Sequence, residues 1–485
     1  MKKLMLLVIA FLALTFSPTH AQEIQKQDAQ MVAQSFLESR NQDINILSIE
    51  SFSNDERQLA WIASLDPTGF ILVSPTYQIR PILAYSFESP WLTGGEEEQI
   101  FLTLMKADLQ SKLNNPDQSA TYQQKCNTEW EMYLTTTISD LGFEQWPPEG
   151  TTPTGGWLFT NWTQGSPYNK MCPMDPNSHQ RCLAGCPATA MSMILNCIIT
   201  VNNTRFDDGD DYYHNFGSGN QYWIDDDWEG LGFPCFDTLN AYLDILEENY
   251  LGNKPISDDE IAALTFACGT ALKQVYSSSI SGTFGIEQAR DAFQRFGFID
   301  SRLVYSSDTM LNYDLVQNIQ EGNTAQLGLI DPPHTVGHNV VVDGYNTDGF
   351  FHFNFGWGGN SNGWYTMPPT TAPYNLTVIE GIVLDIFGAN PHVSVSETTQ
   401  PEKRVDIRFQ QNNMLTVINQ SDEPMNPLIE VFDIQGRLLN RSSVLFSKKG
   451  EEIIIELNSL YRGIIIVRVT YDSISADSFK FLKEH

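Results

Sequence analysis

The chain has 485 residues, 41% of them hydrophobic and 10 of them Trp, a composition that predicts folded rather than disordered protein. That length exceeds what one ordinary hydrophobic core holds, so we expect about three domains. The formal net charge of −31 disfavours nucleic acid and anionic membrane surfaces as partners, because both repel an acidic protein.

The first residues have the pattern of a secretory signal peptide. Lys2 and Lys3 form the charged start, residues 4–16 form an apolar run too short to span a bilayer, and small residues precede a predicted cleavage site after Ala21. No other apolar run reaches the roughly 20 residues that a transmembrane helix needs. We therefore expect residues 1–21 to be removed and the rest to be exported as a soluble protein without a membrane span.

Residues 22 to about 145 predict a first domain, without a catalytic constellation. A segment rich in Pro, Thr and Gly follows at 144–156, which predicts an exposed linker that proteases cut easily. The predicted elements of the domain are helices over 28–37 and 101–113 and strands over 59–64 and 69–74.

From Trp157 the chain becomes rich in aromatic residues, Gly and Asn. Helices are predicted first and an antiparallel sheet after them, which is the pattern of the α+β class. The predicted helices lie at 188–199, 239–246, 260–275 and 286–296, and the predicted strands lie at 326–330 and in a hairpin within 337–367.

Cys186 has the sequence context of a nucleophilic cysteine. Gly185 permits a tight turn, Pro187 suits the first turn of a helix, and the apolar run that follows predicts a buried helix. A thiol at a helix N-terminus ionises more easily, because unpaired N–H groups and the helix dipole favour the thiolate. Taken alone, this context fits a buried or disulfide-bonded cysteine equally well.

The hairpin carries His338 and Asn354, and an amide beside a histidine could orient it as a base for such a thiol. With a two-residue turn at 347–348, each even-numbered residue of one strand would lie opposite an odd-numbered residue of the other. His338 and Asn354 both have even numbers, so their side chains would then point to opposite faces of the sheet. One additional residue puts both on one face. We therefore predict a three- or five-residue loop with Gly349 at positive φ, as in a G1 bulge.

The last part of the chain alternates between short apolar runs and turn signals. A polar, Pro-containing linker at 394–403 precedes these runs, which indicate a small Ig-like β-sandwich. The predicted strands lie at 405–409, 414–418, 427–432, 452–457, 464–471 and 478–482.

The sequence contains three separated motifs: NWTQGSPYN at 161–169, GCPATA at 185–190, and GH at 337–338 continued by DGY at 343–345 and HFNFGWGG at 352–359. These motifs resemble the streptopain family of cysteine peptidases, which have a papain-like fold. Residues 22–145 are more weakly similar to the inhibitory propeptide of that family, with GFILVS at 69–74 as the most recognisable part.

The resemblance implies a role for each matching residue. Cys186 is the nucleophile, and His338 is its general base and acid. The side-chain amide of Gln164 and the backbone N–H of Cys186 form the oxyanion hole. Asn354 orients His338, with an indole or a backbone carbonyl sharing that work, and Trp357 shields the hydrogen bond of the histidine. The residues implied in substrate binding are Gly337, Ser281, Gly282 and Trp357.

The sequence departs from the family pattern at two positions. Phe355 stands where many members carry Trp, so an indole at that position cannot assist the histidine. Pro187 stands where Val is common. Neither departure removes the cysteine, the histidine or the glutamine.

The C-terminal motifs resemble the sorting domain of the type nine secretion route of Bacteroidetes. The resemblance implies export through the periplasm of a Gram-negative bacterium to the medium or the cell surface, with the secretion machinery as a partner. The alternative is an ordinary Ig-like module that binds a partner or spaces the enzyme from a surface. The motifs are IEVFDIQGRLL at 429–439, LYRGIIIVRV at 460–469 and KFLK at 480–483.

We therefore predict an α+β protein that is a secreted cysteine endopeptidase made as a zymogen, acting on proteins or peptides without a metal or organic cofactor. Its own propeptide is expected to inhibit it. Two alternatives stay open: a catalytically silent surface binding protein on a protease scaffold, and an amidase or processing peptidase of narrow specificity. The predicted domains are a signal peptide at 1–21, an α+β propeptide at 22–150, a papain-like peptidase domain at 151–393 and a β-sandwich at 404–485.

Seven cysteines leave at least one thiol unpaired within the chain, and none has the repeated spacing of a zinc site. Cys172 and Cys182 could form a disulfide across a loop rich in Pro and Asn. Acidic clusters at 206–214 and 225–227 could bind calcium, but they lack the EF-hand spacing, so a solvated loop is the simpler interpretation.

Overall fold

The computed structural model describes most of the chain, and the predicted signal peptide and the predicted linker at 394–403 lie outside the described residues. The described ranges are 23–91, 96–135, 143–217, 219–252, 254–367, 379–386, 405–410, 414–421, 424–433, 438–456, 463–470 and 476–483.

The first domain combines helices with four antiparallel strands. Its elements are α1 (Lys26–Ser39), β1 (Asn45–Ser53), β2 (Gln58–Asp66), β3 (Phe70–Val73), β4 (Ile82–Ser86), α2 (Glu96–Asn114) and α3 (Ala120–Thr135). All four elements predicted here are confirmed. Helix α1 forms because its apolar residues recur at helical spacing, and their stripe is buried against the strands. The stripe is Ala29, Val32, Ala33, Phe36 and Leu37.

The middle of the chain begins with a short strand and continues with helices followed by strands. Its first elements are β5 (Gln145–Trp146), α4 (Cys186–Ile198), β6 (Tyr213–Asn215), β7 (Gln221–Trp223), α5 (Trp228–Leu231), α6 (Phe236–Leu251), α7 (Asp258–Ala271) and α8 (Glu287–Arg295). They continue with β8 (Arg302–Tyr305), α9 (Leu311–Gln320), β9 (Ala325–Ile330), β10 (Gly337–Asn346), β11 (Phe351–Asn354), β12 (Gly363–Tyr365) and β13 (Ile379–Leu384). The predicted order, helices before an antiparallel sheet, is confirmed.

One antiparallel sheet joins the first domain to the middle of the chain. Within the described residues it has eleven strands, in the order β1-β2-β3-β4-β12-β11-β10-β9-β13-β8, with β5 added at β10. The junction is the pairing of β4 with β12, where Tyr85 lies opposite Trp364 and Ala84 opposite Tyr365. The predicted propeptide is therefore continuous with the sheet that carries His338.

The two faces of this sheet are covered by different parts of the chain. On one face, Val341 of β10 belongs to the apolar cluster built around α4 and the other helices of the middle region. On the opposite face, Val340 and Val342 belong to a cluster that includes Phe101 of α2 and Leu315 of α9. The direction of a side chain on β10 therefore decides whether it meets the cysteine helix or the predicted propeptide.

The predicted linker at 144–156 is only partly exposed. Trp146 pairs with Tyr345, stacks on its ring at 5.9 Å, and is buried because its indole is apolar. The accessible part of the segment is 148–153. The prediction of an exposed linker is correct for these six residues and wrong for the strand before them and for Thr154 and Gly156 after them, which are buried.

The C-terminal strands form two sheets that share one apolar cluster, which confirms the predicted β-sandwich. Strand β17 was not predicted, because its sequence LLNRSS lacks apolar alternation. The predicted turn at 435–436 lies outside the described residues. The strands are β14 (Val405–Gln410), β15 (Met414–Asn419), β16 (Leu428–Asp433), β17 (Leu438–Ser443), β18 (Glu452–Glu456), β19 (Gly463–Thr470) and β20 (Ala476–Lys483).

Among the helices that the structure describes, none combines the length and the apolar character needed to cross a bilayer.

Candidate active site

Cys186 is the first residue of α4, as the sequence predicts. Gly185 before it has a φ of 84°, and a Cβ at this position would lie 2.5 Å from the side-chain oxygen of Gln274. Gln274 is fully buried and donates from Nε2 to the carbonyl oxygen of Ala184 at 2.7 Å. The turn that presents the thiol is thus fixed by a glutamine that the sequence analysis missed, because its partner lies 90 residues away in the chain.

Gln164 lies beside this turn. Its backbone oxygen accepts a hydrogen bond from the N–H of Ala184 at 2.8 Å, two residues before Cys186. Gln164 itself is half-buried, so its side chain retains access to solvent. The structure therefore places the backbone of Gln164 against the turn that leads to Cys186, and its role in an oxyanion hole stays a prediction.

The hairpin loop has the predicted form. Asn346 and Phe350 are joined by a hydrogen bond of 3.0 Å, which leaves the three residues 347–349 as the loop, and Gly349 has a φ of 84°. A second irregularity lies further along the strands, between the pairs Val342–Phe353 and Gly344–His352. Asp343 is the additional residue there. It cancels the shift of one residue made at Gly349, so the residues before Asp343 pair as they would in a hairpin without any bulge.

The second bulge places His338 and Asn354 on opposite faces of the sheet. Asn354 lies directly opposite Val341, so these two side chains share the face covered by α4. His338 precedes Val341 by three residues and therefore points to the other face, beside Leu329. The prediction that both side chains share one face is wrong, because it allowed for the bulge at Gly349 alone.

His338 is buried among aromatic residues on the face away from α4. Its Nε2 lies 2.9 Å from the backbone oxygen of Phe355, to which the neutral ring donates, and its ring stacks on Trp357 with centroids 4.4 Å apart. In the part of the chain that the structure describes, no hydrogen bond joins the imidazole to Cys186 Sγ. Desolvation by burial lowers the pKa of His338 to about 4, against the opposing effect of the Phe355 carbonyl, so the ring is neutral near pH 7.

Asn354 is hydrogen-bonded to the segment before Gln164 and not to His338. We call residues 160–164 the Gln164 arm. Its Nδ2 donates to the backbone oxygen of Thr160 at 3.1 Å and to Oδ1 of Asn161 at 3.2 Å, and its Oδ1 accepts from the N–H of Gly356 at 3.1 Å. The expected orienting role is not realised here. The contacts tie the segment before Gln164 to the hairpin that carries His338.

The thiol of Cys186 lies against β10 at the residue after His338. The backbone N–H of Asn339 donates to Sγ at 3.4 Å, and the side-chain oxygen of Asn339 accepts from Gln326 Nε2 at 2.9 Å. Burial raises the pKa of Cys186 to about 11, and the Asn339 N–H only partly opposes this shift. Because His338 is neutral and faces away, it does not supply a positive charge that would favour the thiolate.

The four residues implied in substrate binding lie in three places. Gly337 starts β10, Trp357 follows the end of β11, and Ser281 and Gly282 lie in the loop between α7 and α8. Gly337 is exposed at the start of β10. Ser281 is buried, and its hydroxyl donates to the Ser277 carbonyl at 3.1 Å. Gly282 exchanges both backbone hydrogen bonds with Val275, at 2.9 and 3.0 Å. The N–H and the carbonyl oxygen of Gly282 are therefore both engaged by Val275, and only the second lone pair of that oxygen is left for a contact to a peptide.

The hypothesised disulfide is not formed: Cys172 and Cys182 are both buried free thiols. Among the described residues, no group of three or more His, Cys, Asp or Glu side chains is arranged to hold a metal ion. The described residues of the acidic clusters at 206–214 and 225–227 therefore do not form such a group.

The raised pKa of Cys186 predicts slow alkylation of the intact chain at neutral pH. The thiolate fraction at pH 7 is about one in 10⁴ for a pKa of 11, so the rate should rise about tenfold per pH unit up to that pKa. The measurement is the rate of iodoacetamide labelling of the Cys186 peptide by mass spectrometry between pH 6 and 11. A rate independent of pH over this range would contradict the described environment of the thiol.

The fold and the site define a class of protein. A thiol at the start of a buried helix, a glutamine beside the same turn and a histidine on the adjoining strand of an antiparallel sheet are the parts that cysteine hydrolases combine. In this molecule the side chain of His338 lies on the face of the sheet away from α4.

Two parts of the chain match models of known protein families. Residues 162–365 match the model described as the peptidase C10 family, and residues 21–110 match the model described as the Spi protease inhibitor. Residues 162–365 are therefore similar to peptidases of the C10 family, and residues 21–110, in front of them, are similar to a protease inhibitor.

Two relatives have names that agree with this assignment. The thiol protease/hemagglutinin PrtT of Porphyromonas gingivalis is 30% identical over 220 residues, which cover 42% of this chain and 22% of that protein. Streptopain of Streptococcus pyogenes is 22% identical over 327 residues, which cover 63% of this chain and 73% of that protein. The chain thus spans about a fifth of the length of PrtT and about three quarters of that of streptopain.

Two solved structures of Prevotella intermedia proteins are also similar. A prointerpain A fragment aligns with a TM-score of 0.48 and 20% identity, covering 71% of this chain and 99% of the fragment. Active interpain A cysteine protease aligns with a TM-score of 0.37 and 23% identity, covering 48% of this chain and 94% of that protein.

Proposed function

We propose that the chain is a secreted cysteine endopeptidase made as a zymogen, and that the described conformation is its latent form. The observation that carries the proposal is the meeting of Cys186 at the start of α4 with the Gln164 arm, next to the strand that bears His338. The proposal concerns three parts: the chemistry of the site, the restraint on His338, and the release of that restraint.

In the active form, His338 turns to the α4 side of the sheet and accepts the proton of Cys186. The thiolate attacks the carbonyl carbon of the scissile peptide bond, and His338 returns the proton to the leaving amine. Water then attacks the thioester carbon, which releases the acid product and restores the thiol. The Gln164 amide and the Cys186 N–H donate to the oxyanion formed in both steps.

In the latent form, the predicted propeptide supports the displaced histidine through an aromatic layer. Phe101 of α2 packs edge-on against Phe355 at 5.4 Å and Trp357 at 5.9 Å. Trp357 stacks on His338, and the Phe355 carbonyl accepts its Nε2–H. Because the Phe101 contacts exist only while α2 covers this face, we expect removal of α2 to loosen the layer that holds the histidine.

Further contacts anchor the predicted propeptide to the domain that follows. Lys112 of α2 donates to the backbone oxygen of Thr366 at 2.9 Å and pairs with the buried carboxylate of Asp108. Arg40, after α1, pairs with Asp348 in the loop of the β10–β11 hairpin. Together with the β4–β12 pairing, these contacts explain how one segment restrains the hairpin at several places.

We place the activating cleavage in residues 148–153, the accessible part of the linker. The segment after it is tied down independently, because the N–H groups of Trp157 and Leu158 donate to Asp343, at 2.7 Å to its backbone oxygen and 3.0 Å to its carboxylate. The carboxylate also accepts from His352 Nδ1 at 2.6 Å. A new N-terminus made at 148–153 would therefore stay attached to the sheet.

The experiment that tests the proposed function is labelling with a peptidyl epoxide, followed by peptide mapping. We expect the self-processed protein to be labelled at Cys186 and to lose peptide hydrolysis in proportion, whereas the intact chain is labelled slowly. Labelling that falls on another cysteine, or hydrolysis that survives complete labelling, would refute the proposal. A folded, processed protein that hydrolyses no peptide and takes no label would be the binding protein of the alternative hypothesis.

For the C-terminal β-sandwich we propose the sorting role that its sequence implies, with export through the periplasm to the cell surface or the medium. Its support is a compact apolar cluster separate from the clusters of the catalytic region, as expected of a module that acts independently.

A further inference from the structure

His214 is a buried histidine that the proposed chemistry does not use. It lies on β6, is fully buried, and its ring stacks on Tyr222 with centroids 4.2 Å apart and planes 9° apart. Its Nδ1 lies 3.1 Å from the backbone oxygen of Asn220, and its Nε2 lies 2.6 Å from the backbone nitrogen of Tyr276. Both ring nitrogens thus contact backbone groups.

These two contacts fix the protonation state of the ring. The amide of Tyr276 can only donate, so Nε2 must be the unprotonated acceptor, and Nδ1 carries the proton that it donates to Asn220. A proton added at Nε2 would replace this hydrogen bond by two N–H groups facing each other. The contact therefore exists only with neutral imidazole.

The peptide group held by His214 lies at the start of residues 276–282. We call this segment the Tyr276–Gly282 wall, because it ends at two residues that are implied in contacts to substrate. The Tyr276 carbonyl accepts from Asn220 Nδ2 at 2.8 Å, so the β6–β7 hairpin holds this residue from both sides. The next residue, Ser277, accepts from the N–H of Leu183 at 3.1 Å, three residues before Cys186. The wall continues to Ser281 and Gly282, which are the residues implied in contacts to substrate.

We propose that His214 is a positioning residue for substrate binding: its neutral imidazole holds the Tyr276–Gly282 wall against the nucleophile turn, and protonation releases that wall. The inference rests on the proposed function, since it assigns a role to the same cleft. It predicts a loss of peptide affinity in acid that is separate from the titration of the Cys186–His338 pair.

The groups around His214 favour its neutral form. Desolvation lowers its pKa, outweighing the Asn220 carbonyl and the carboxylate of Asp175, which raise it, and the Tyr276 N–H also favours the neutral ring. Asp175 is engaged by the N–H and hydroxyl of Ser278, at 3.0 and 3.1 Å. The other titratable groups facing this cluster are uncharged near pH 7, because burial raises their pKa values; they are Tyr212, Tyr222, Tyr276, Cys172 and Cys182.

The same shift gives the sign of the stability change with pH. A histidine whose pKa is lowered by folding contributes stability that is present above its unfolded pKa, near 6.5. That contribution is lost as the pH falls through the folded pKa, because the unfolded chain binds the proton first. Acid should therefore loosen the wall.

The test compares KM and kcat of the self-processed enzyme and its His214→Gln variant between pH 4 and 8, with a capped peptide free of ionisable groups. Glutamine offers one acceptor and one donor and does not titrate. We expect the KM of the parent to rise by up to about tenfold per pH unit below the pKa of His214, whereas the KM of the variant stays level. The acid limb of kcat should be the same in both.

Two further variants make the outcome specific. His214→Phe keeps a ring on Tyr222 but neither hydrogen bond, so its KM should be about tenfold higher at every pH. His179→Gln, which changes an exposed histidine, should keep the pH dependence of the parent. Parallel KM profiles for the parent and His214→Gln would overturn the inference while leaving the proposed function intact, and absence of turnover in the parent at every pH would overturn both.

Discussion

Replacement of Cys186 by Ala is expected to abolish peptide hydrolysis and self-processing together, with a loss of at least about 10³-fold in kcat. The thiol is the atom that forms the acyl bond, and nothing else at the start of α4 can replace it. The side chain is half-buried and small, so alanine should be accommodated without loss of fold. The measurements are the turnover of a fluorogenic peptide and the mass of the purified chain after prolonged incubation.

The matched control is Cys235→Ser. Cys235 also stands at a helix N-terminus, as the residue before α6, and is also half-buried, but its Sγ contacts only Thr238 at 3.3 Å among the described side chains. This variant should retain activity and processing. If Cys186→Ala retained both activities, or if Cys235→Ser lost them, the assignment of the nucleophile would be wrong.

Replacement of Phe101 by Ala is expected to unmask the thiol in the intact chain. The change removes the ring that packs on Phe355 and Trp357, and deletion of a buried Phe typically costs about 3–5 kcal/mol. Once the layer loosens, His338 can leave the Phe355 carbonyl and reach the α4 side. Cys186 of the unprocessed chain should then react at pH 7 at least about tenfold faster, which corresponds to a shift of 1.4 kcal/mol.

The control for Phe101→Ala is Phe36→Ala. Phe36 is an equally buried propeptide ring, but its aromatic neighbours are Tyr85, Phe87 and Tyr133, which lie away from His338. Both variants should lower the melting temperature of the intact chain, whereas only Phe101→Ala should raise the reactivity of Cys186 under folding conditions. Equal reactivity of the two variants would show that latency depends on propeptide stability alone and would refute a local restraint on the histidine.

The described burial of Cys186 and His338 also explains why both groups are neutral. A thiol with a pKa near 11 and an imidazole with a pKa near 4 are both neutral over the whole physiological range, so they cannot form the ion pair that cysteine peptidases use. In the proposed zymogen, activation therefore requires movement of His338 rather than a change of pH.

The sequence by itself determined the features that depend on neighbouring residues. Gly185 and Pro187 predict where α4 starts, and turn residues with Gly349 predict a three-residue loop, because both are decided by the backbone preferences of a few adjacent residues. Helical spacing likewise predicted the helices of the first domain. The family resemblance added Gln164, and the structure places it beside the nucleophile turn.

The tertiary structure alone decided which residues meet. The bulge at Asp343 depends on His352 and Leu158, so the local turn chemistry that predicted the first bulge could not reveal the second. That bulge sends His338 to the face covered by Phe101 and leaves Asn354 to hold the Gln164 arm. Gln274 and His214 act on partners 90 and 62 residues away. Pairing, burial and packing between distant segments are what a local pattern does not contain.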